Sequence, residues 1–352
     1  MGMADELVLP AKKRVSAGRI IGKITARFFI FLLVLIIALL IFIFGCMTIV
    51  CYGPSQSARD LFIVSVTETS ALKFIPKIYY SDDEIADILA RNAAVETLEV
   101  TDQSLIHIPD EKQQAESEKK PLEVIDISGS TYKGKLMIVR DPSRIVLSTA
   151  NSLGANSIGI QISEMVEKEN GIAGINGGGF ADANGVGNGG QPLGIVIKNG
   201  ELVYNGGSSV VVGFDKENKL VVGQMTGEEA IQKNIRDACS FGPVFIVNGK
   251  RSETIGTGGG VNPRTCIGQT ADGTVLLLTI DGRQASSLGA TFEDCINILE
   301  EYGAINAANL DGGSSTVMYY NGEVINVCAS VYGPRKLPTG FVVLKENADI
   351  NS

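Results

Sequence analysis

From Phe28 to Val50 the chain carries no charged residue. An uncharged stretch of that length crosses a hydrocarbon core of about 30 Å as one helix. Lys12, Lys13, Arg14, Arg19, Lys23 and Arg27 precede it, and positive residues stay on the cytoplasmic side of a span. The pattern predicts a basic cytoplasmic tail over 1–27, a transmembrane helix over 28–50, and everything after about Tyr52 outside. A cleaved signal peptide would have a shorter apolar region and a small-residue cleavage site. Ile43-Phe-Gly-Cys46 has the look of a bacterial lipoprotein cleavage box, but Phe44 is bulky for it and the apolar run continues through Ile49 and Val50. The expectation is an uncleaved, single-pass anchor in the plasma membrane.

Beyond the span, the period of the apolar positions changes twice. Residues 51–121 read as a membrane-proximal helical region and linker. Ser81-Asp-Asp-Glu84 ahead of Ile85, Ile88 and Leu89 is a capping-box start to a short helix. Glu111 to Lys120 is charged without apolar residues and reads as a solvated linker. From Leu122 onward strand signals dominate, over 135–139, 144–148, 193–197, 210–214 and 275–280. The pairs Asn199-Gly200, Asn248-Gly249, Asp272-Gly273 and Asn321-Gly322 favour tight hairpin turns. Thr291-Phe-Glu-Asp294 is a second capping signature. Phe292, Cys295, Ile296, Leu299 and Tyr302 follow it at helical spacing, and Gly303 is placed to end the helix. The expected fold is α+β: a mixed β-sheet domain over 122–346 with a few helices, followed by a short tail over 347–352.

Two segments of that domain are alike. Ser152-Leu-Gly-Ala155 leads through a helical stretch to Asn170-Gly171, an apolar strand and Asn176-Gly-Gly-Gly179. Ser287-Leu-Gly-Ala290 leads through the second helix to Gly303, an apolar strand and Asp311-Gly-Gly313. They represent either a duplicated βαβ-like element or the chance likeness of common helix-to-strand connections.

Composition narrows the partners. The formal net charge of −9 and pI near 4.9 include the basic tail, so the outer part is more acidic still. Nucleic acid is excluded as a partner, because binding phosphate chains needs clustered Lys and Arg. Trp is absent, which counts against a pure carbohydrate-binding module. Of six cysteines, Cys46 and Cys51 belong to the membrane zone. Cys239, Cys266, Cys295 and Cys328 allow three disulfide pairings, between which the sequence does not choose. Cys295, on the apolar face of a helix, reads as a buried thiol. With no CxxC and a single His, His107, a zinc site is not expected.

Four polar clusters follow apolar strands or sit in glycine-rich loops: Asn176-Gly-Gly-Gly-Phe180 with Asp182, Asn262-Pro-Arg264-Thr265, Asp281-Gly-Arg283, and Asp311-Gly-Gly-Ser314-Ser315-Thr316. Taken singly, Asp281-Gly282 is a common turn pair, Arg264 a surface ion-pair partner, and Asn176 a turn cap. Asp311 is harder to dismiss: a carboxylate between Ala307–Leu310 and Gly-Gly is unusual for a plain turn. Gly185-Val-Gly-Asn-Gly-Gly190 fits the dinucleotide pattern in letters, but a strand follows it where a helix is required. No P-loop is present, and the one His lies outside the strand domain, which removes a Ser-His-Asp triad.

Asn176-Gly-Gly-Gly-Phe180, Asn262-Pro-Arg264-Thr-Cys-Ile-Gly268, Asp281-Gly-Arg283, Gly289 before the helix and Leu310-Asp-Gly-Gly-Ser314 occur in this order. The ordered set resembles the phosphodiester glycosidase family over about residues 123–345. Ser315 departs from the longer glycine run of many members, and Gly179 from a common aromatic. The preceding part resembles membrane-anchored bacterial members linked to exopolysaccharide. The resemblance implies a hydrolase that cleaves the glycosidic C–O bond of a sugar 1-phosphodiester in envelope glycans or exopolysaccharide. A non-catalytic binding or scaffold protein for exopolysaccharide assembly, or a phosphodiesterase cutting P–O, are the alternatives. It implies Arg264 and Arg283 as phosphate ligands, Asp311 as the carboxylate that activates water or stabilises an oxocarbenium-like centre, and Asp281 as a second carboxylate or sugar anchor. It also implies Asn176, Ser314 and the amides of Gly177, Gly178, Gly312 and Gly313 as substrate ligands. No cofactor is required. A divalent cation near Asp281 or Asp311 has no ligand motif behind it, and the expected partners are a glycan or sugar-phosphate substrate and the membrane.

Overall fold

The computed structural model describes residues 17–69, 72–95, 97–109, 120–182, 187–330 and 332–346. Lys12, Lys13 and Arg14, linker residues 111–119, Gly185 and Val186, and the tail 347–352 lie outside the described residues. The chain divides into two units, Met1–Ser55 and Gln56–Ser352.

The first unit is a helix, Ala17–Tyr52. Its Ile21–Tyr52 portion is long and apolar enough to cross a membrane. At 1.5 Å per residue this portion is about 48 Å long, more than the hydrocarbon thickness of about 30 Å.

The second unit is the expected α+β fold. Every strand ladder among the described residues is antiparallel. The largest sheet has seven strands, in the order Leu122–Ser128, Lys133–Val139, Val275–Ile280, Arg264–Thr270, Ala304–Leu310, Val244–Val247, Lys250–Arg251. Two five-stranded sheets pack with it. One runs Glu323–Val324, Met318–Tyr320, Gly171–Asn176, Thr339–Leu344, Ile145–Thr149, and the other Glu201–Asn205, Ile195–Lys198, Ile235–Ser240, Ser209–Asp215, Leu220–Met225.

The unbroken apolar run Val275–Ile280 is explained by burial on both faces of the large sheet. Side chains alternate across a strand. Val275 and Leu277 join a core with Met137, Ile267, Phe214 and Phe341. Leu276, Leu278 and Ile280 face a second core with Leu136, Cys266 and the helix side chains Cys295, Ile296 and Leu299. The Asn-Gly pairs turn as expected, with φ positive at Asn199, Asn248 and Asn321 and at the glycine after each. Ser81 and Thr291 both close capping boxes, on Asp82–Ala90 and Phe292–Glu301. A third such box, Thr226 to Glu229, starts the helix Gly227–Gln232, which the sequence reading did not mark.

The two similar segments form the same topology. In each, a helix (Ile162–Lys168 or Phe292–Glu301) feeds a strand that is separated from the strand before the helix by one antiparallel neighbour. That neighbour is Thr339–Leu344 in the first and Arg264–Thr270 in the second. The likeness is one of topology. The first helix is shorter than its sequence segment suggests.

The segment before the linker packs directly on the strand domain. Asp60, on the helix Gln56–Thr67, accepts from Arg91 Nε and Nη2 at 2.8 and 2.9 Å and from Asn92 Nδ2 at 3.1 Å. Asn92 Oδ1 in turn accepts from Thr257 N at 2.8 Å. Val95 N donates to Glu253 O, and His107 N to Ala271 O. Val261 N donates to Ser65 Oγ at 2.9 Å. A Cβ on Gly260 would stand 2.8 Å from Ser65 N, so only glycine lets this loop lie so close to the helix. No disulfide forms among the described residues, and Cys295 is buried as expected.

Candidate functional site

The strands Gly171–Asn176 and Ala304–Leu310 end side by side although they belong to different sheets. Asp311 N donates to Gly177 O at 3.1 Å. Asn176, wholly buried, donates from Nδ2 to Asp311 O at 2.6 Å. Its Oδ1 accepts from Thr265 Oγ1 at 2.8 Å and Val317 N at 3.1 Å. One amide side chain thus ties three of the four sequence clusters into a single corner.

A cavity of about 330 Å³ opens there. Asp311, Gly312, Gly313, Ser314, Ser315 and Asn309 line one part of it, with Phe180, Phe241 and Phe292 as aromatic walls. Its charged lining is Glu68, Asp182, Asp311, Arg264, Arg283 and Arg335. Burial raises the Asp311 carboxyl to about 6, against the opposing pull of a hydrogen bond from Ser315 and the nearby Arg335 charge. The cause is desolvation of the charged form. Asp182 pairs with Arg335 Nη1 at 2.5 Å. Arg335 also donates to Ser314 Oγ at 3.3 Å and lies 5.0 Å from the Phe180 ring centroid.

The two arginines of the sequence motifs are both at the cavity, in different states. Arg264 is only 4 % exposed in its side chain. Its Nε donates to Ala290 O, and its Nη2 to Gly259 O and Gly260 O. Nη1 meets Glu68 Oε2 at 3.1 Å, and the guanidinium lies 4.3 Å from the Phe292 centroid. Arg283 sits at φ +58°, a left-handed conformation that costs a non-glycine residue free energy. Its Nη2 donates to Glu68 O and Asn262 Oδ1, each at 3.2 Å, while its Nε is buried without a partner. Burial lowers its pKa, an effect that the Arg264 charge reinforces and the Glu68 charge opposes.

Asp281 is not brought to the cavity. Its Oδ1 accepts from Val327 N at 2.9 Å and Asn326 Nδ2 at 3.4 Å, holding the loop after Val324. Burial raises its pKa, with both bonds acting against it. Asp281, which the sequence reading gave as a second carboxylate or a sugar anchor, is thus not among the residues that line the cavity with Asp311. The glycine amides also differ from expectation. Gly177 N donates to Thr339 O, Gly178 N to Thr339 Oγ1 and Gly313 N to Pro263 O, so strand and loop pairing consumes them. Gly312 N bonds to Asp311. The glycines also allow close approach. A Cβ on Gly289 (φ +128°), for instance, would lie 2.5 Å from the Asn262 carbonyl carbon.

Sequence reasoning missed Glu68, Arg335 and the cavity-facing role of Phe241. Glu68 follows a helix 194 residues away in sequence from its partner Asn262, and Arg335 sits in an irregular turn. Neither carries a local signal. Asp182 was visible beside the first cluster but had no assigned role. No group of three His, Cys, Asp or Glu that could hold a metal ion forms among the described residues.

The chain is 30% identical over 178 residues to the SPbeta prophage-derived uncharacterized protein YomE of Bacillus subtilis, covering 47% of this chain and 27% of that protein. It is 27% identical over 225 residues to N-acetylglucosamine-1-phosphodiester alpha-N-acetylglucosaminidase of Mus musculus, covering 57% of this chain and 42% of that one. The chain thus spans less than half the length of either relative. In fold it is similar to the zebrafish N-acetylglucosamine-1-phosphodiester alpha-N-acetylglucosaminidase catalytic domain, solved auto-inhibited by its pro-peptide. That match has a TM-score of 0.53 at 22% identity, over 65% of this chain and 85% of that one. Residues 169–344, half of the chain and the part that carries the Asn176, Arg264, Arg283 and Asp311 motifs, match the family model described as phosphodiester glycosidase, and the chain belongs to that family.

Proposed function

We propose that this protein is a membrane-anchored hydrolase that cleaves the glycosidic C–O bond of sugar 1-phosphodiesters, acting outside the cytoplasm on envelope glycans or exopolysaccharide. The observation that carries the reading is Arg283. It is a half-buried guanidinium with no carboxylate ion pair among the described residues, its Nη1 and Nη2 beside the Gly313 turn and in the same cavity as Asp311. A planar guanidinium with free donors is suited to a phosphate oxygen pair.

The chemistry needs little else. Water adds at the anomeric carbon, the C1–O bond breaks, and its electron pair leaves with the phosphate as a monoester. The second pKa of such a monoester is about 6, so the leaving group departs without strong acid assistance. Asp311, ionised above about pH 6, takes the water proton or stabilises positive charge developing at the ring. Phe180, Phe241 and Phe292 offer apolar faces to the sugar. The basic residues before the span support an outward-facing catalytic unit.

The test uses the full chain in detergent with the methyl phosphodiester of α-N-acetylglucosamine in ¹⁸O-water. Release of free sugar carrying the label, abolished in Asp311→Asn, is the expected result. Label in the phosphate would mean P–O cleavage. No release from any of several sugar phosphodiesters would favour a binding or scaffold role.

A further inference from the structure

Three carboxylates and three arginines line the cavity, and two of the arginines are compensated. Asp182 holds Arg335. Arg264 spends Nε and Nη2 on three backbone carbonyls and its face on Phe292, so Nη1 is the donor it turns toward Glu68. Arg283 has no carboxylate ion pair among the described residues.

Glu68 is held in place. It follows the helix Gln56–Thr67, whose end is pinned by Val261 N on Ser65 Oγ. Asn262 Nδ2 donates to its Oε2 at 2.7 Å, so the carboxylate is oriented. Its side chain is still 35 % exposed, toward the cavity.

We propose that Glu68 is a specificity-determining residue of this site: by pairing with Arg264 it leaves Arg283 as the one cavity guanidinium without a carboxylate ion pair among the described residues, so the cavity accepts a phosphodiester monoanion and disfavours a phosphomonoester dianion. The inference rests on reading the cavity as a phosphodiester site. A diester carries one negative charge, and a monoester about 1.5 to 2 at neutral pH. The second charge would find a carboxylate where a free Arg264 would have been, and at short range that difference is large. Selectivity built from a repulsive element in this way is a difference of affinities. It has a further consequence, since the product of hydrolysis is the monoester. The charge arrangement that admits the substrate expels the product.

The experiment measures anion binding by titration calorimetry on the full chain in detergent at pH 8. Dimethyl phosphate is the monoanion and inorganic phosphate the predominantly dianionic probe. Glu68→Gln keeps the size of the side chain and an acceptor for Asn262. It should tighten phosphate at least tenfold and dimethyl phosphate less than threefold. Adding Arg264→Gln to it should return phosphate to wild-type strength. Equal tightening of both anions would mean that Glu68 merely blocks the cavity. Weakening of both would mean that it only holds Arg283. Either result, no change, or tight phosphate surviving in the double variant overturns the proposal. Should Glu68→Gln fail to fold, Glu68→Asp, which withdraws the carboxylate by one methylene, must shift the ratio toward phosphate. The phosphodiester reading itself stands or falls separately, on sugar release by the wild type.

Discussion

Asp311 and Asp60 show how one residue type is driven in opposite directions by its surroundings. Asp311 is desolvated where it lines the cavity, and its carboxyl rises to about 6. Asp60, gripped by Arg91, Asn92 and Arg59, is held well below the usual carboxylate range. The signs of their stability effects follow. The folded Asp311 binds its proton more tightly than the unfolded chain does, so its contribution is full below about pH 4 and is lost as pH rises through 6. Asp311→Asn should therefore lower kcat by about 10²–10⁴-fold. It should also stabilise the fold at pH 8 by up to about 3 kcal/mol and not at pH 4, read from thermal melts at the two pH values. With Asp311 acting in its ionised form, kcat/KM of the wild type should climb through about pH 6, and a profile flat across that range would remove Asp311 from the chemistry. The local sequence around Asp311 was enough to single it out, since a carboxylate between a buried strand and two glycines has few structural uses. Asp281 looked similar in sequence and proved to hold a loop. What separates the two is the direction each side chain takes, which depends on partners such as Val327 that lie far along the chain.

At the scale of elements, the pattern of apolar positions sufficed for strands and capped helices because burial on one or both faces is a local, periodic demand. The site depends instead on how elements meet. Asn176 closes the corner with three hydrogen bonds. Asn176→Ala should cost about 3 kcal/mol and reduce kcat about tenfold or more by freeing the Asp311 loop, measured by denaturation and turnover together. Gly289 meets the Asn262 backbone at a φ closed to side chains. Gly289→Ala should destabilise by about 3 kcal/mol, and a variant as stable as wild type would contradict that geometry. The helix Gln56–Thr67 is the element whose role was least legible. Its cavity residue, Glu68, has no periodic signature, and the loop it docks on, Gly256 to Val261, reads in sequence as a plain glycine run. Asp60→Ala should release this helix through loss of its arginine and asparagine contacts, at a cost of about 3 kcal/mol. The sign for Asp60 is the reverse of that for Asp311: its stabilisation is present above about pH 4 and fades as pH falls below. Limited proteolysis of the variant should cut first between 56 and 109.

For the whole molecule, the free thiols decide a question the sequence left open. Cys239, Cys266 and Cys295 lie buried on separate strands and a helix, with Cys328 partly exposed, and none of the three pairings forms. Denaturation without reductant should expose six titratable thiols, and a reductant should leave the melting temperature unchanged. The sequence by itself determined the apolar helix, the α+β class, the turns and the family, and it singled out Asp311, Arg264 and Arg283, which the structure brings to one cavity. Each of these is written in periodicity, in residue type or in a short ordered motif. Only the tertiary structure decided that the two arginines differ, that Glu68 and Arg335 complete the cavity while Asp281 stands outside it, and that residues from 56 onward form one unit. These are matters of distance and desolvation between groups far apart in the chain, and no local pattern encodes them.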